Sequence, residues 1–501
     1  MWMFNNDFDK TQSEYINNIQ FINSLTPSIF INNAKKFKQN ININLEIDNW
    51  TALRTASFIN HVEVVRELIK SGADVNHETG NNWTALEDAS HNNHIEIVRE
   101  LIKSGADVNH ETGNHWTALR FASANNHIEV VRELIKSGAD VNHETGNHWT
   151  ALRFASANNH IEVVRELIKS GADVNHESGD NWTALRIASH YNHIKVVREL
   201  IKSGADINYE SGDNWTALRT ASRNNHIEIV RELIKSGADI NYESGDNWTA
   251  LRTASRNNHI EIVRELIKSG ADVNHESGNN CTALRVASAN NSIEVVRELI
   301  KSGADVNHET GSNWTALEDA SHNNHIEIVR ELIKSDADVN HETGNHWTAL
   351  RLASQNNHIE TVRELIKSGA DVNHETGDNW TALEEASTNN SIEIVRELIK
   401  SGADVNHETG NHWTALRFAS ANNHIEVVRE LIKSGADVNY ETIKKFDLFK
   451  FIIVNKIPLK QIKCDFLIKF ISIYEELMVE KTILENKIPK DIVNLIEQFN
   501  C

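Results

Sequence analysis

The polar and apolar positions of this chain follow a short pattern that predicts a pair of helices. The second helix of one copy carries its apolar residues on a single stripe, with charged residues opposite: Ile95, Val98, Leu101 and Ile102. In the helix before it, Leu86 and Ala89 lie three residues apart on one face. Thr84 precedes that helix and favours the N-terminal cap position. Each copy is therefore expected to form two short amphipathic helices.

Asparagine and glycine positions separate the predicted helices. Asn92 and Asn93 tolerate left-handed backbone, so they predict the turn between the two helices. Gly105 follows the second helix, where a glycine commonly closes the helix in a left-handed conformation. The polar stretch from Asp107 onward predicts a projecting, hairpin-like loop. One unit therefore consists of a helix, a turn, a helix and a loop.

This unit returns every 33 residues, and each copy starts from a marker residue. The markers of repeats 1 to 12 are Trp50, Trp83, Trp116, Trp149, Trp182, Trp215, Trp248, Cys281, Trp314, Trp347, Trp380 and Trp413. A period in this range predicts a stacked solenoid, because one unit cannot bury its apolar face alone. The array spans residues 48–442. We expect residues 1–47 to form an N-terminal helical cap and residues 443–501 a C-terminal helical region.

The segments Asn82–Leu86 and Gly105–Asn109 resemble the conserved core of the ankyrin repeat. Three departures recur, since the family's proline is Ala85, its histidine is Arg120 or Glu87 and its loop glycine is Asn or His. The resemblance implies an all-α solenoid of twelve 33-residue helix-turn-helix units, with short hairpin-like loops and helical end caps. It also implies a non-enzymatic scaffold that binds a partner protein. In its near-identical copies and its composition rich in Asn, Ile and Lys, the sequence is similar to the ankyrin arrays of giant DNA viruses.

Two positions vary freely among the copies, the fifth and the eighth residue after each marker. The fifth position holds both Phe121 and Asp88. Because an unpaired buried carboxylate is costly, we expect this position to be exposed. In proteins that this chain resembles, the first helix and the loop tips form a concave recognition face. Both variable positions fall on the first helix and are expected to contact the partner, although neutral drift on a solvated face would give the same variation.

The marker tryptophans allow two interpretations. Tryptophan is enriched at binding hot spots, so the column could anchor a partner. Its uniformity favours a structural role at the base of each loop, because a surface that sets specificity should vary. The candidate protein-binding residues from these columns are Trp116, Phe121, Trp149, Phe154, Trp182, Ile187, Trp215, Arg223, Trp248 and Arg256.

The C-terminal segment 487–496 resembles the start of an F-box, with Ile488, Pro489 and Ile492 at the matching positions. Poxvirus ankyrin proteins end in a shortened F-box that recruits a host ubiquitin ligase. The alternative function is therefore a substrate adaptor that binds an F-box-binding ubiquitin ligase subunit. A plain helical cap is the other interpretation of this segment.

Charge and composition narrow the remaining classes. The net charge of −21 repels phosphate backbones, so we expect no nucleic-acid partner. The three cysteines have no paired spacing, and no signal peptide or membrane-length apolar run is visible. The sequence thus predicts an intracellular, cytoplasmic protein, in the host cytoplasm if viral. Histidines in two solenoid columns lie too far apart to bind a metal together, and no catalytic or cofactor motif is present.

The motif from Leu101 to Asn109 allows two interpretations as well. It is similar to ankyrin segments that asparaginyl hydroxylases modify. The simpler interpretation is that the asparagine serves as a hydrogen-bonding residue of the loop.

Overall fold

The computed structural model describes residues 43–46 and 49–437, apart from residues 180, 211, 213 and 246 and the side chain of Asn279. Nearly all of the predicted N-terminal cap and the whole C-terminal region, with Ile488, Pro489 and Ile492, lie outside these residues. Within them the regular structure consists of 24 α-helices and two single 3₁₀ turns, Gly80–Asn82 and Gly278–Asn280, with no strand.

Each repeat contributes two helices, as predicted. The first helices are Ala52–Phe58, Ala85–His91, Ala118–Ala124, Ala151–Ala157, Ala184–His190, Ala217–Arg223, Ala250–Arg256, Ala283–Ala289, Ala316–His322, Ala349–Gln355, Ala382–Thr388 and Ala415–Ala421. The second helices are Val62–Lys70, Ile95–Lys103, Ile128–Lys136, Ile161–Lys169, Ile194–Lys202, Ile227–Lys235, Ile260–Lys268, Ile293–Lys301, Ile326–Lys334, Ile359–Lys367, Ile392–Lys400 and Ile425–Lys433.

The helices belong to two compact units. The first comprises the described residues up to 253 together with 268–271, and the second comprises 254–267 together with the residues from 272 onward. Within each unit a first helix packs against its own second helix and against the first helix of the next repeat. The predicted helix-turn-helix solenoid is thus confirmed in both units.

Threonine starts the first helix of each repeat, as the sequence predicts. In repeat 4 the Thr150 hydroxyl accepts a hydrogen bond from the backbone N–H of Arg153, at 3.4 Å. In repeat 2 the cap is reciprocal, because Glu87 also accepts a hydrogen bond from the backbone N–H of Thr84, at 2.8 Å. The start of the helix is therefore well defined even though Ala85 stands where the resembled family has proline.

Left-handed residues end both helices. Asn93 has a φ of 64° in the turn, and the matching asparagines of the other copies are left-handed too. After the second helix, Gly105 has a φ of 93°, and Asp336 takes the same region with a φ of 66°. These backbone predictions are confirmed.

A second-helix stripe forms the core of each unit, but it differs from the predicted stripe because it includes Ile97. Ile97, Val98 and Leu101 are fully buried, whereas Ile95 and Ile102 are half-buried. Ala89 and Ser90 on the first helix are also fully buried, and their small size lets the neighbouring helices approach closely.

Candidate functional site

Every marker tryptophan is held at the end of a loop by its backbone. The preceding residue is left-handed, for example His115 with a φ of 56° and Asn214 with a φ of 61°. In repeat 3 the Trp116 carbonyl also accepts a hydrogen bond from the backbone N–H of Thr112, at 3.0 Å. The loop therefore closes on itself before the first helix starts. All eleven marker tryptophans are half-buried.

An arginine four residues after the marker covers the tryptophan ring in most repeats. The guanidinium carbon lies 3.4 Å from the ring centre for Arg120 over Trp116, and 3.9 Å for Arg219 over Trp215. The same contact exists on Trp149, Trp182 and Trp248. A cation on an aromatic face is an electrostatic contact that strengthens as water is excluded. These five candidate tryptophans therefore have a structural role, whether or not they also contact a partner.

The fifth position is buried in repeats 2 to 11 and half-buried in the two end repeats, so the expectation that it faces solvent is wrong. Phe121 is 2%, Phe154 6% and Ile187 5% exposed. The Phe121 ring lies 4.6 Å from the ring of Trp83 in the preceding repeat. These three candidate residues fill the contact between consecutive first helices, where a partner cannot reach their side chains in the folded array.

Acidic residues at the fifth position are also buried, and each has a counterion. A side-chain nitrogen of Arg54 lies 2.5 Å from a carboxylate oxygen of Asp88. The same kind of contact joins Arg351 to Glu385 at 2.6 Å. Arg285 and Asp319 form the third such pair, at 2.6 Å. In each pair the arginine is the fourth-position residue of the preceding repeat. Desolvation still disfavours the charge, and burial raises the pKa of Asp88 to about 6 despite its arginine.

The acidic repeats 2, 9 and 11 carry glutamate at the fourth position in place of the arginine. In repeat 2 Glu87 is fully buried, and its second oxygen lies 3.4 Å from the His110 ring. The matching histidine of repeat 9, His341, has its pKa raised to about 9, first by its hydrogen bond to Glu318. The fourth-position residue is thus an arginine on tryptophan in most repeats, Arg285 beside Cys281 in repeat 8, or a glutamate close to a loop histidine in repeats 2, 9 and 11.

The eighth position is more open than the fifth, because four of its residues are exposed, the other eight are half-buried and none is buried. Arg223 in the first unit and Arg256 in the second are both exposed. The Arg223 guanidinium carbon lies 5.0 Å from the ring centre of Trp215. We call the eighth-position residues and the marker tryptophans of a unit its first-helix face. Of the candidate residues, this surface includes the five tryptophans and the two arginines.

Repeat 5 has two surface residues outside the two variable columns. Tyr191 is 43% exposed at a position that is Asn in ten copies and Ile in repeat 1. Lys195 is exposed at a position that is Glu in the eleven other copies. Single-copy departures in a nearly uniform array are the sequence signal that identifies both residues.

The two remaining polar columns tie neighbouring repeats together. The ring of His127 lies within hydrogen-bond distance, 3.0 Å, of the Ser90 carbonyl oxygen in the preceding repeat. In the loops Asn109 donates from its amide to the Gly138 carbonyl at 3.1 Å and accepts from the backbone N–H of Asp140 at 2.7 Å. This confirms the simpler interpretation of the loop asparagine. The nitrogen and the oxygen of its side-chain amide both bond to the next repeat.

Two further observations concern metal binding and membrane spanning among the described residues. No group of three or more His, Cys, Asp or Glu side chains there is arranged to hold a metal ion. In the same part of the chain no helix has the length and apolar character needed to cross a membrane.

Similarity to a known family covers most of the chain. A family model described as "Ankyrin repeats (3 copies)" matches residues 17–112, 106–178, 170–244, 204–277, 241–310, 307–376 and 350–442. No curated protein matches the sequence.

Proposed function

The chain belongs to the ankyrin-repeat family, and on that premise we propose that it is a protein-binding scaffold whose contact surface is the first-helix face of its units. Ankyrin repeats indicate protein–protein interaction, and a scaffold of this kind needs an outward surface that can change without disturbing the stack. The eighth position meets this requirement, because Ala, His, Arg, Gln, Thr and Phe all occur there. The observation that carries the proposal is that this variable first-helix column holds no buried residue, whereas the fifth position is buried in repeats 2 to 11.

The other variable column does not compete for this role. Phe121, Phe154 and Ile187 are buried between repeats, where a partner cannot contact their side chains. The second helices are also poor candidates, because their outward charges repeat with little change and pair with each other. Arg132 joins Glu166 of the next repeat at 2.9 Å and Glu129 of its own helix at 3.0 Å.

The test replaces arginine with the residue that other copies carry. Arg223→Ala and Arg256→Ala introduce the eighth-position Ala of repeats 3, 4, 8 and 12, so both variants are expected to keep the fold. The matched control is Lys136→Ala with Lys169→Ala, which removes the same charge from exposed positions of second helices. Purified chain serves as bait, and captured proteins are quantified for wild type and variants. We expect a partner whose capture falls with the arginine variants and not with the lysine variants.

Equal loss with both pairs of variants would show that capture depends on charge alone. Equal retention would place the contact elsewhere, with the loop tips as the next surface to change. Circular dichroism of every variant must match wild type, since a loss of helix would remove binding for a trivial reason.

The adaptor function remains the alternative proposal, and it rests on segment 487–496, which lies outside the described residues. It requires that Ile488, Pro489 and Ile492 bind an F-box-binding ubiquitin ligase subunit. Purified subunit is mixed with the full chain, with the triple alanine variant and with a control F-box protein. Binding that the triple variant loses supports the adaptor. Binding by the control alone leaves the tail as a helical cap.

A further inference from the structure

Repeat 5 interrupts the regularity of the array with residues that its fold does not require. Asn and Glu occupy the positions of Tyr191 and Lys195 in most copies, and those copies form the same helix pair. Tyr191 follows the first helix as its C-terminal cap, and Lys195 lies in the first turn of the second helix, Ile194–Lys202. Both side chains face solvent. Folding therefore does not account for either residue.

The Tyr191 ring is held in place by its neighbours. The His190 ring lies 4.8 Å away and perpendicular to it, and the His193 ring is stacked on it at 5.9 Å. His190 in turn contacts Trp182 at 5.3 Å and accepts a hydrogen bond from the amide of Asn224 in repeat 6, at 3.0 Å. A tyrosine that is fixed before binding loses little conformational freedom when a partner packs on it.

Local charge reverses at the same place. In repeat 4 Glu162 pairs with Arg165 at 3.0 Å, but the corresponding residue of repeat 5 is Lys195, so Arg198 has no carboxylate three residues before it. Of the two carboxylate contacts that the matching arginine makes in repeat 4, Arg198 keeps the one to the next repeat, with Glu232 at 2.7 Å. Arg223 adds a further exposed cation in repeat 6. Burial lowers the pKa of His190, and the nearby positive charges of His226, Arg186 and Arg223 lower it further.

We propose that Tyr191, Lys195 and Arg223 form a basic aromatic patch that binds an acidic segment of a partner protein. This inference rests on the proposed scaffold function and names the class of partner for a surface that joins Arg223 of the first-helix face to Tyr191 and Lys195 outside it. Carboxylates of the segment meet Lys195 and Arg223, and an apolar or aromatic side chain packs on the Tyr191 ring. Cationic groups on a mostly acidic surface select an acidic partner, because elsewhere on the chain like charges repel it.

A short acidic peptide fits this patch better than a nucleic acid does. The chain carries a net charge of −21, and the repeats on either side keep the glutamate that Lys195 replaces. A phosphate backbone carries charge along its whole length and would meet those glutamates. A peptide can place a few carboxylates on the patch and continue with neutral residues.

The test measures fluorescence polarisation of labelled probes with the full-length chain. The probes are a short Glu- and Asp-rich peptide with one tyrosine, the same peptide with Gln and Asn at its acidic positions, and a single-stranded DNA of similar length. Tyr191→Asn with Lys195→Glu restores the residues of the other copies, so this double variant is expected to fold as they do. Lys136→Glu makes the same charge change at an exposed site in repeat 3 and is the control.

We expect the acidic peptide to bind more tightly than the neutral peptide and than the DNA. The double variant should weaken that binding by about tenfold or more, and raised salt should weaken it in wild type. Lys136→Glu should leave it nearly unchanged. Equal binding of acidic and neutral peptides, preference for the DNA, or unchanged affinity in the double variant would each overturn the proposal. If a partner still depends on Arg223 and Arg256 in the capture experiment, the scaffold function stands without an acidic-segment site.

Discussion

At Asp336 a single substitution is expected to strengthen one repeat by relieving left-handed backbone. Eleven copies place glycine after the second helix, with φ between 88° and 97°, and Asp336 takes the same left-handed region with a φ of 66°. The local hydrogen bonds are kept, since Asp336 N–H donates to Ile333 at 3.1 Å and Ala337 N–H donates to Leu332 at 3.0 Å. Asn307 of the preceding repeat also donates to the Asp336 carbonyl, at 3.1 Å. The helix end is therefore intact but strained.

The magnitude follows mainly from the backbone conformation of Asp336, with a smaller contribution from its carboxylate. A Cβ atom built on the matching glycines, Gly303 and Gly369 among them, meets no atom within 4 Å, so a side chain causes no clash there. Left-handed backbone destabilises an L-residue by about 1.5 kcal/mol, and somewhat less for Asp. The carboxylate at the negative end of helix Ile326–Lys334 adds a few tenths of a kcal/mol. Glycine offsets about half a kcal/mol through its greater freedom in the unfolded chain. Asp336→Gly should therefore raise the free energy of opening repeat 9 by about 1 kcal/mol.

Hydrogen exchange with peptide-level readout measures this opening directly. In wild type, exchange inside the array away from its ends should be fastest near residues 331–345, because one weak unit is the preferred place for a solenoid to open. In the Asp336→Gly variant that segment should exchange about fivefold more slowly. The control reverses the change in the neighbouring repeat, where Gly303→Asp should weaken repeat 8 by a similar amount.

A neutral or destabilising Asp336→Gly substitution would refute this reasoning. So would first opening elsewhere inside the array, or a Gly303→Asp variant as stable as wild type. Any of these results would mean that left-handed backbone does not limit the stability of this helix end.

Three further predictions concern contacts between repeats. Ser292 and Ser391 replace the histidine that bonds the preceding repeat, and their hydroxyls are buried with no hydrogen-bond partner among the described residues. Each Ser→His change should therefore raise the free energy of unfolding, measured in urea, by about 1 kcal/mol. No gain from either change would contradict the role of that histidine column. Arg351→Met should destabilise the chain by about 3 kcal/mol, because it leaves the buried Glu385 carboxylate without its counterion, whereas Glu385→Leu should destabilise far less. Equal losses of stability in urea unfolding would argue against a desolvated pair. Folding raises the pKa of Asp88 from 3.8 to about 6. Its contribution to the free energy of unfolding is therefore full below pH 3.8 and is lost as the pH rises through about 6. Between about pH 4 and pH 7 the stability of the Asp88→Asn variant should lack this dependence on pH, and parallel slopes for variant and wild type would contradict the raised pKa.

Much of the fold could be predicted from the sequence because the relevant physics is local and repeated. The helical stripe that contains Leu101, the cap at Thr84 and the turn at Asn93 each depend on residues within one unit. Twelve copies of the same pattern then require stacking, since only a neighbouring unit can cover the remaining apolar face. The left-handed backbone of Asp336 followed from alignment with eleven glycines, without knowledge of any contact.

The candidate surface was predicted less well, because exposure depends on what the next repeat supplies. A column that holds both Phe121 and Asp88 appears solvated when each residue is considered alone, since a buried carboxylate is costly. The stack brings Arg54 to Asp88 across 34 positions of sequence and removes that objection. The acidic residues do follow arginine-bearing repeats in the sequence, but the reason is visible only once the two positions are known to touch.

The sequence by itself therefore determined the elements, their period and their backbone turns. The tertiary structure decided which variable column is buried and which is exposed. It buried Phe154 beneath Arg120 of the preceding repeat and left Tyr191 and Arg223 in solvent. The physical reason is that helix formation and capping are set within a few residues, whereas burial and the pairing of charges are set by residues one repeat away.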